Sequence, residues 1–360
     1  MVKVFYDYQI FTLQKYGGAS KYFTNIVDNF SEEIDPKVVS LFYKNEYLKN
    51  LNNKQALFYY SEKLNFLTNS FNKLNKKYFQ HYINKYKPDI IHYTYFNEKN
   101  IYKSEAKKII TELDLIKEKF YPQIYEDEIN YKKKLYSKIE QIICISESTK
   151  KDLIKYYNIN EEKISVIHLG INKNQNYIKI DVNLKPFLLY VGPRSRYKNF
   201  YNLLKSYSIS KKINSEFNLV CFGGGKFTKK EKNLFKQLNI EDNKILYFEG
   251  NDLELNFFYK HARVFIYPSL YEGFGIPLLE AMKMHCPVAC SDTSSFPEVA
   301  GNAAIYFDPN SIDSIISNLE KNLFNDQQLN SLKDKGIENI KKFNWKNCSK
   351  ETEKIYQKIV

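Results

Sequence analysis

Cysteine and metal-binding motifs are scarce in this sequence. Only five of its 360 residues are cysteine, and none forms a Cys-x-x-Cys pair, which argues against a disulfide framework and a zinc site. An Asp-x-Asp pair is absent, and of the five histidines only His92 ends a predicted strand, so we expect no bound metal. Neither an apolar run of about eighteen residues nor a signal-peptide pattern occurs. We therefore expect a cytoplasmic chain without a membrane span.

Positive charge is the second compositional signal, because 54 Lys and Arg against 41 Asp and Glu give a formal net charge of +13. Such an excess favours phosphates, anionic membranes or nucleic acid as partners. Its densest part, residues 65–87, predicts either an amphipathic helix packed on a sheet or a helix at a membrane interface. No nucleic-acid motif accompanies it, so we do not expect nucleic acid to bind. The apolar stripe predicted by helical spacing consists of Phe71, Leu74, Tyr78 and Tyr82.

The length of the chain favours two domains over one large α/β domain, which remains an alternative. Short apolar runs alternate with helical segments in two successive series, and this alternation predicts parallel sheets wound with helices. The predicted strands are 3–8, 37–42, 89–93, 108–111 and 141–145 in the first series, and 186–191, 217–222, 244–249, 264–267, 287–291 and 304–307 in the second.

A link between the two series is predicted at 166–170, followed by the polar segment 172–183. Upstream of this link, Ser-Glu-Ser-Thr at 146–149 predicts the start of a helix that ends near Tyr157, with Ser148 or Thr149 accepting from its first-turn amides. The predicted organisation is a first domain at 1–170, a second domain at 171–345 and a terminal helix at 346–360.

The stretch from Tyr267 to Glu280 carries the strongest chemical signal. It follows an apolar strand and places two carboxylates, Glu272 and Glu280, on either side of a Gly-x-Gly turn. Pro277 suits a first helical position, which predicts that Glu280 lies in the first turn of a helix. The amides of 274–278 are then unpaired donors, suited to phosphate oxygens or sugar hydroxyls. Taken singly, the two glutamates are better explained as surface carboxylates near a helix start, and it is the Gly-Phe-Gly-Ile-Pro between them that favours a binding site.

Glycine pairs follow predicted strands in both halves of the chain. Gly17 and Gly18 precede a helix in the first half, where the backbone of paired glycines can approach an anion, although a plain turn explains them as well. In the second half, Gly223–Gly225 form another tight turn after a strand, without matching a Walker loop or a dinucleotide fingerprint.

Three cations, Arg194, Arg196 and Lys198, follow the first strand of the second series. The carboxyl end of a parallel strand faces the crevice where ligands of open α/β sheets bind. These cations are therefore suited to neutralise a diphosphate as it leaves, although a solvated basic loop remains the alternative.

Several of these motifs occur together in one known family. Ser269-Leu-Tyr-Glu-Gly-Phe-Gly-Ile-Pro-Leu-Leu-Glu280, Phe296-Pro-Glu298, Lys198-Asn199 and the glycine run at 223–225 resemble the family 4 glycosyltransferases, most closely the mannosyltransferase-like enzymes of bacterial O-antigen and polysaccharide assembly. The resemblance is weaker in the first half. It implies an α/β fold of the GT-B class, with two facing doubly wound, Rossmann-like domains and a C-terminal helix that crosses back to the first.

The resemblance also implies roles for individual residues. It places the nucleotide sugar mainly in the second domain and the acceptor in the first. It implies that Glu280 accepts from the ribose hydroxyls, that Glu272 contacts the donor sugar, and that Arg194 and Lys198 hold the diphosphate, with Arg196 as the alternative to Arg194. Glu272, Lys198 and Arg194 are thus the expected catalytic residues. The other expected donor-binding residues are Gly17, Gly18, Gly224, Phe274, Gly275, Ile276, Pro277 and Leu278.

One position departs from the family pattern. Members commonly have Thr-x-His-Asp after a strand of the first domain, with the histidine near the donor sugar, whereas this chain reads Thr111-Glu-Leu-Asp114. Leu113 stands at the histidine's position. Either Glu112, Asp114 or His92 compensates, or the donor sugar differs, or the activity is low.

The function that the resemblance implies is a retaining, metal-independent transfer of a hexose, with mannose as the first candidate. The donor is a GDP- or UDP-linked sugar, and the acceptor is a glycan or a polyprenyl-linked glycan in surface polysaccharide or lipopolysaccharide synthesis. The alternative is a catalytically silent subunit that binds a sugar nucleotide. A glycosidase with two catalytic glutamates leaves the cations and glycine loops unexplained. The basic excess predicts a peripheral position on the anionic inner face of the cell membrane.

Overall fold

The chain forms two compact units, each built around one parallel sheet. The computed structural model describes residues 1–96, 101–182, 184–194 and 196–360. The first unit comprises Met1–Gly170 and Asn344–Val360, and the second comprises Ile171–Phe343. Asn183, the last residue of the predicted polar link, and Ser195, inside the predicted basic loop, lie outside the described residues.

The sheet of the first unit has seven described strands: β1 (Val2–Tyr6), β2 (Ile34–Tyr43), β3 (Lys54–Tyr59), β4 (Ile90–Tyr93), β5 (Lys107–Glu112), β6 (Gln141–Cys144) and β7 (Ile164–Val166). Their order is β3-β2-β1-β4-β5-β6-β7, and all neighbours are parallel. The helices of this unit are α1 (Gln9–Leu13), α2 (Gly18–Asp28), α3 (Glu46–Lys49), α4 (Thr68–Tyr86), α5 (Ile116–Phe120), α6 (Glu126–Tyr136) and α7 (Glu147–Tyr157), with 3-10 turns at Glu62–Leu67 and Glu161–Lys163.

The sheet of the second unit has six described strands: β8 (Phe187–Val191), β9 (Asn218–Phe222), β10 (Ile245–Phe248), β11 (Val264–Tyr267), β12 (Val288–Ser291) and β13 (Ala304–Phe307). Their order is β10-β9-β8-β11-β12-β13, again parallel throughout. The helices are α8 (Phe200–Ile209), α9 (Lys211–Glu216), α10 (Lys229–Gln237), α11 (Asp252–His261), α12 (Ile276–Lys283), α13 (Phe296–Ala300), α14 (Ile312–Leu323) and α15 (Asp326–Asn339), with 3-10 turns at Arg196–Lys198 and Ile340–Lys342. The last helix, α16 (Trp345–Ile359), belongs to the first unit.

Each sheet reverses its winding direction once. In the first unit the chain moves outward from β1 to β3 and then returns to the other side of β1 with β4; in the second unit β8 and β11 are related in the same way. Ligands of open α/β sheets bind in the crevice outside the carboxyl ends of such neighbouring strands. The predicted doubly wound architecture is therefore confirmed in both units, and each has one such crevice.

Two strands, β3 and β7, were absent from the sequence prediction. β3 contains the short apolar run Ala56-Leu-Phe-Tyr59, but it is an edge strand whose last three side chains are exposed. β7 has only three residues and lies at the opposite edge, at the start of the predicted link. A short apolar run does not by itself distinguish a strand from other structure.

The inward face of helix α4 overlaps the predicted stripe but is centred one position further along the chain. Its fully buried residues are Asn75, Phe79 and Ile83; of the predicted stripe, Tyr78 and Tyr82 are half-buried against the core and Leu74 is exposed. Asn75 is buried because its side-chain oxygen accepts from the amides of Leu41 and Phe42 at 2.7 and 2.9 Å, and its side-chain nitrogen donates to the Phe42 carbonyl. Because the inward face of α4 includes a polar residue, the row of buried side chains lies one position further along the chain than the row predicted from apolar residues.

Helix α7 begins where Ser-Glu-Ser-Thr predicts, but the capping residue differs. Ser146 is the N-cap, and its hydroxyl oxygen accepts from the Thr149 amide at 3.0 Å. Neither Ser148 nor Thr149 has this role, because both already lie inside the helix. The cap is one turn earlier than the prediction placed it.

The C-terminal helix α16 completes the first unit through buried polar contacts. The Tyr356 hydroxyl lies 2.5 Å from the Tyr6 hydroxyl of β1 and 2.6 Å from His92 Nδ1 of β4. The other ring nitrogen of His92 lies 2.9 Å from the Thr111 hydroxyl of β5. Gly170 permits the close approach of the helix start, since a Cβ there would lie 2.4 Å from the Trp345 nitrogen. The C-terminal helix that the fold class requires is thus present and fixed to three strands.

His92 generates a prediction about stability and pH. Burial lowers its pKa from 6.5 to about 3, so the folded protein keeps it neutral while the unfolded chain protonates it below about pH 6.5. The unfolded state then binds more protons, and stability contributed by His92 is lost as the pH falls from 6.5 towards 3. Between pH 7 and 5 we expect a loss of about 2 kcal/mol from this group.

The measurement is urea unfolding of His92→Gln and of the wild type, followed by fluorescence of the single tryptophan, Trp345, which lies in the first unit. Burial raises the pKa of Asp7 to about 6, with an opposite effect on stability, and comparing the two proteins cancels this contribution. The control variant is His81→Gln, because His81 is exposed. Its free energy of unfolding should depend on pH with the same slope as that of the wild type. Equal pH slopes for all three proteins would contradict the prediction.

Candidate active site

Three side chains meet where β8 and β11 end. The Lys198 ammonium donates to Glu272 Oε1 at 2.6 Å and to the Tyr267 hydroxyl oxygen at 3.1 Å. Lys198 and Glu272 are each only 11% exposed, so this pair is largely removed from water. Burial, followed by the nearby Glu272 carboxylate, raises the pKa of Tyr267, and its hydroxyl therefore stays protonated. The structure brings two of the predicted residues together and adds a third.

Hydrogen bonds from neighbouring loops fix the position of this cluster. The Leu270 amide donates to the Tyr197 carbonyl at 2.7 Å, which joins the loop after β11 to the loop after β8. The Ser295 hydroxyl lies 3.0 Å from the Glu272 carbonyl and 2.8 Å from the Phe274 carbonyl. Ser294 accepts from the Glu272 amide and donates to its carbonyl. The loop that carries Glu272 is thus attached to two other segments before any ligand binds.

Helix α12 starts one residue earlier than predicted. Gly275 is its N-cap, with a φ of 100°, so Ile276 is the first helical residue, Pro277 the second and Glu280 the fifth. Glu280 therefore lies beyond the first turn, which corrects the prediction. A proline is tolerated at either of the first two positions, and its presence alone does not distinguish them.

The donors at this helix start are also fewer than predicted. Pro277 has no N–H, and the Leu278 amide donates to the Gly275 carbonyl at 3.0 Å. Among the described residues the amides of Gly275 and Ile276 have no acceptor, and they remain available to a ligand. Gly275 is required here because its φ is positive and a Cβ would lie 3.1 Å from the Phe296 ring.

Arg194 holds the glycine loop after β9. Its guanidinium pairs with Glu231 and donates to the Gly223 carbonyl at 3.2 Å and to the Gly225 carbonyl at 2.8 Å. The Phe227 ring centre lies 4.9 Å from the same group. Because three of its five N–H groups point at these acceptors and another donates to the Lys226 carbonyl at 3.4 Å, Arg194 positions the loop in this structure, and its charge is already compensated by a carboxylate.

The other predicted residues occupy different surroundings. Arg196 is exposed and makes no ion pair among the described residues, so it is the cation of this loop that a diphosphate can reach without displacing a carboxylate. Glu280 is half-buried on α12. Gly17 and Gly18 lie in the first unit, where Gly17 is the N-cap of α2 and a Cβ on Gly18 would meet no atom within 4 Å.

The three residues proposed to compensate for the missing histidine differ in burial and in surroundings. His92 is fully buried and bonded through both ring nitrogens, as described above, so it belongs to the core. Glu112 and Asp114 instead line a cavity at the carboxyl end of β5, together with Leu113. Burial raises the pKa of Glu112 to about 7 despite the nearby Lys132, and it raises the pKa of Asp114. Of the three candidates, Asp114 is half-buried, whereas Glu112 is 1% exposed and its two oxygens accept from Lys132 and Tyr136.

Metal-binding clusters and membrane-crossing helices are two features that the described part of the chain does not contain. No cluster of three or more His, Cys, Asp or Glu side chains there is arranged to hold a metal ion. No helix there is both long and apolar enough to cross a bilayer. The five cysteines are all buried and unpaired.

The arrangement in the second unit is suited to an anionic ligand that also carries hydroxyl groups. A buried ammonium, an exposed guanidinium and two helix-start amides are donors for phosphate oxygens. The Glu272 carboxylate accepts from hydroxyls once a phosphate takes over part of its bond to Lys198. The three consecutive glycines after β9 all have positive φ values, between 74° and 81°.

Comparison with known proteins identifies the family. A model described as glycosyl transferases group 1 matches residues 174–342, and one described as Glycosyltransferase Family 4 matches residues 16–175. Together they cover nearly the whole chain, each matching one of its two halves. The chain belongs to the family 4 glycosyltransferases.

Two curated relatives with which the chain aligns are named as O-antigen chain mannosyltransferases. The chain is 28% identical over 253 residues to an O-antigen chain mannosyltransferase B of Escherichia coli, covering 64% of this chain and 65% of that protein. It is 30% identical over 210 residues to the O-antigen chain mannosyltransferase RfbU of Salmonella typhimurium, covering 56% of this chain and 58% of that protein. The matches therefore span less than two thirds of the length of both relatives.

A solved structure supports the fold class. The protein HepE of Anabaena, in complex with UDP and glucose, superposes with a TM-score of 0.75 at 13% identity and covers 99% of both chains. At this identity the similarity concerns the fold alone. With two doubly wound sheets and a C-terminal helix in the first unit, the chain has the predicted GT-B fold.

Several residues of the site were not found from the sequence. Tyr267 was read only as the end of a strand, and Ser294 and Ser295 lie between two recognised motifs. Their contacts with Lys198 and with the Glu272 loop depend on strand order, which the sequence pattern does not give. The φ of Ser294 is 60°, which indicates a backbone held for a specific contact. This angle is known from the structure and could not be predicted from the sequence.

The glycine loop generates a prediction that uses its own matched control. A Cβ on Gly224 would lie 2.5 Å from the Gly192 carbonyl oxygen, whereas one on Gly225 would meet no atom within 4 Å, although both glycines have a positive φ. Gly225→Ala should destabilise the protein by about 1 kcal/mol through backbone strain, and Gly224→Ala by about 3 kcal/mol because the clash adds to it. Urea unfolding followed by far-UV circular dichroism measures both values. Equal losses for the two variants would contradict the assigned close approach.

Proposed function

We propose that this protein is a retaining glycosyltransferase that transfers a hexose from a nucleotide-diphosphate sugar to a glycan or lipid-linked acceptor in surface polysaccharide or lipopolysaccharide synthesis. Mannose is the first candidate for the hexose, since the two relatives described above are named as O-antigen mannosyltransferases. The donor base is GDP or UDP, and the reaction needs no divalent metal because protein cations neutralise the diphosphate.

The observation that carries this proposal is the Lys198–Glu272 pair at the crevice of the second sheet. A sugar nucleotide has a diphosphate and a hydroxyl-bearing sugar joined at the bond that breaks. A cation and a carboxylate 2.6 Å apart can contact these two parts at once, one on each side of that bond. Negative charge grows on the diphosphate as the bond breaks, and a fixed cation in a partly buried site stabilises it.

The remaining residues have supporting roles in this proposal. Arg196 and the amides of Gly275 and Ile276 bind the diphosphate, and Glu280 accepts from the ribose hydroxyls. Arg194 acts indirectly by fixing the glycine loop, so that the backbone at Gly224 approaches the nucleotide. The donor-binding role expected for Gly17 and Gly18, at the start of α2, stays a prediction.

The proposal predicts different kinetic effects for two variants. Lys198→Ala should lower kcat about a hundredfold, because it removes a charge that acts mainly on the leaving diphosphate. Glu280→Ala should raise KM for the donor about tenfold with little change in kcat, because ribose contacts are the same before and during reaction. Released nucleoside diphosphate is measured with a panel of GDP- and UDP-linked sugars and a polyprenyl-linked glycan fraction.

Controls make this measurement decisive. Lys205→Ala removes an exposed lysine of α8 outside the site and should match the wild type. Thermal shifts with each nucleotide sugar show binding independently of turnover, since a ligand stabilises the folded state. Binding without turnover would favour the catalytically silent alternative. Unchanged kinetics in both site variants would remove the site assignment. The anomeric configuration of the product and activity in EDTA test retention and metal independence.

We also propose that the first unit docks on an anionic membrane surface. Exposed apolar side chains occur on three neighbouring segments: Phe58 on β3, Phe66 on the following 3-10 turn and Leu74 on α4. Phe66 is 78% exposed, which is unusual for so large an apolar side chain. We name Phe58, Leu64, Phe66 and Leu74 the apolar patch; the exposed Leu57 is not part of it, because consecutive side chains of a strand point to opposite faces of the sheet.

Stacked aromatic rings connect the segments that carry the apolar patch, and lysines occur on the same segments. The Phe58 ring contacts Phe42 at 5.5 Å between centroids, and Phe42 stacks on Phe71 of α4 at 4.5 Å, so β3 and α4 are joined beneath the surface. Lysines on the same segments include Lys54, Lys63, Lys73 and Lys77. Apolar side chains rimmed by lysines suit the headgroup region of an anionic bilayer, where each lysine contributes about 1 kcal/mol.

The membrane proposal predicts binding to vesicles that contain anionic lipid. Sedimentation with phosphatidylglycerol vesicles should recover the protein, and raising the salt concentration should release it, because screening weakens the lysine contribution. Phe58→Ser should weaken binding severalfold. The control is Ile209→Ser in the second unit, because both side chains are 54% exposed. Equal effects of the two substitutions, or no binding at low salt, would refute the proposed surface.

A further inference from the structure

The second unit has a cavity at the opposite end of its sheet from the candidate donor site. The cavity has a volume of about 720 Å³, and its lining includes Phe187, the first residue of β8, and Arg263, the residue before β11. Lys198 and Glu272 follow the carboxyl ends of the same two parallel strands. The cavity is therefore separate from the donor site. Its volume lies in the range of pockets that hold small organic ligands.

Cations dominate the lining of this cavity. Four of its side chains are cationic, and they come from four places in the chain: Lys185 precedes β8, Lys260 lies in the last turn of α11, Arg263 precedes β11 and Lys333 lies on α15. Asp326 is the one carboxylate among the described residues of the lining, and it pairs with Arg263 at 2.6 Å. The lining therefore carries an excess of positive charge.

Three of the four cations have no carboxylate partner. Among the described residues, no carboxylate oxygen lies within 4.0 Å of the ammonium group of Lys185, Lys260 or Lys333. The Lys333 ammonium lies 3.4 Å from the side-chain oxygen of Asn330, which is a neutral group. An anionic ligand can therefore bind these three lysines without breaking an ion pair.

The pKa of His285 shows the effect of two of these lysines. Burial is the first cause that lowers this pKa, and the charges of Lys260 and Lys333 lower it further, whereas Asp334 raises it. Two lysines on different helices, α11 and α15, thus act on the same imidazole although a carboxylate is near. Like charges repel each other, and an anion bound between them relieves this repulsion.

The end of a helix does not by itself explain this arrangement. A helix C-terminus favours cations, which accounts for Lys260 and His261 in the last turn of α11. Lys185 instead precedes a strand, and Lys333 lies near the middle of α15. The feature that these lysines share is the cavity that they line.

From this geometry we infer that the cavity is a second anion site, which binds a small ligand carrying at least two phosphate charges. The three unpaired ammonium groups donate to its phosphate oxygens. His261 also lines the cavity, and its Nδ1 donates to the Phe257 carbonyl oxygen at 2.7 Å, which fixes the ring. The inference does not depend on the proposed transferase function, because none of these residues belongs to the donor site.

Isothermal titration of the full-length protein with inorganic diphosphate tests this site. The reference protein carries Arg196→Ala and Lys198→Ala, so that the donor site does not contribute to the binding. Adding Lys260→Ala and Lys333→Ala should weaken binding about tenfold or more, because two unpaired charges are lost. Adding Lys335→Ala instead should leave the affinity unchanged, because this exposed lysine of α15 lies outside the cavity. Equal affinities in all three proteins, or no binding to the reference protein, would overturn the inference.

NMR of the histidine ring protons locates the bound anion. The signal of His261 is assigned by its loss in His261→Gln, and diphosphate should shift it in the reference protein. Lys260→Ala with Lys333→Ala should abolish this shift. The signal of His81, an exposed residue of the first unit, is the internal control and should not move. A His261 signal that stays unchanged at saturating diphosphate would place the anion elsewhere and overturn the inference.

Sedimentation with phosphatidylglycerol vesicles distinguishes two sources of the phosphate groups. If Lys260→Ala with Lys333→Ala weakens diphosphate binding but leaves vesicle binding unchanged, the ligand is a free phosphate compound. Loss of both kinds of binding identifies a lipid headgroup at the same site.

These outcomes are separate from those of the proposed function. Release of nucleoside diphosphate by a protein whose cavity binds no diphosphate would overturn the second anion site alone. Binding in the cavity without any transfer of sugar would leave the site intact and remove the transferase activity.

Discussion

The contact between Lys198 and Glu272 is the interaction on which the candidate donor site depends. It joins residues 74 positions apart, and it forms only because β8 and β11 are neighbours in the sheet. Removing two charges from water is unfavourable unless their geometry is good, and here Tyr267 supplies an additional hydrogen bond. The loops on either side are fixed by other contacts, so the pair is held together by the fold and does not itself have to order the chain.

The two units differ in the sign of the charge they present at their strand ends. In the second unit the exposed guanidinium, the ammonium and the helix-start amides favour a phosphate. In the first unit the cavity at the carboxyl end of β5 is acidic, and each of its cations, Lys117 and Lys132, is matched by a carboxylate. The overall charge of +13 therefore describes neither site, and much of the basic excess lies on surfaces such as that of α4.

The sequence predicted those parts of the structure that depend on local patterns. Strands β8, β11 and β13 were placed with correct ends or within one residue, because all three read as apolar runs; β8 and β11 are central strands, and β13 is an edge strand. The edge strand β7 was missed because it has only three residues, and β3 was missed although Ala56–Tyr59 is apolar. The same limit explains α4, where the buried Asn75 bonds to β2 and has no apolar signature.

In the candidate site the sequence indicated individual residues but not the partners that they contact in the structure. Lys198 and Glu272 were recognised separately, and the structure places them in contact. Arg194 was expected at the diphosphate, yet it pairs with Glu231, which lies 37 positions away and belongs to the capping box of α10. Which of two neighbouring arginines turns toward a loop and which toward solvent depends on tertiary geometry, and a local motif does not contain that information.

The C-terminal helix has a consequence for the order in which this chain becomes complete. The second unit is one continuous segment, Ile171–Phe343, whereas the first requires residues from both ends of the chain. During synthesis the second unit is therefore finished while the first still lacks α16, and the buried Tyr6 hydroxyl and His92 ring have no Tyr356 to contact. The part of the protein made first is thus completed last, which reverses the usual sequence of domain folding.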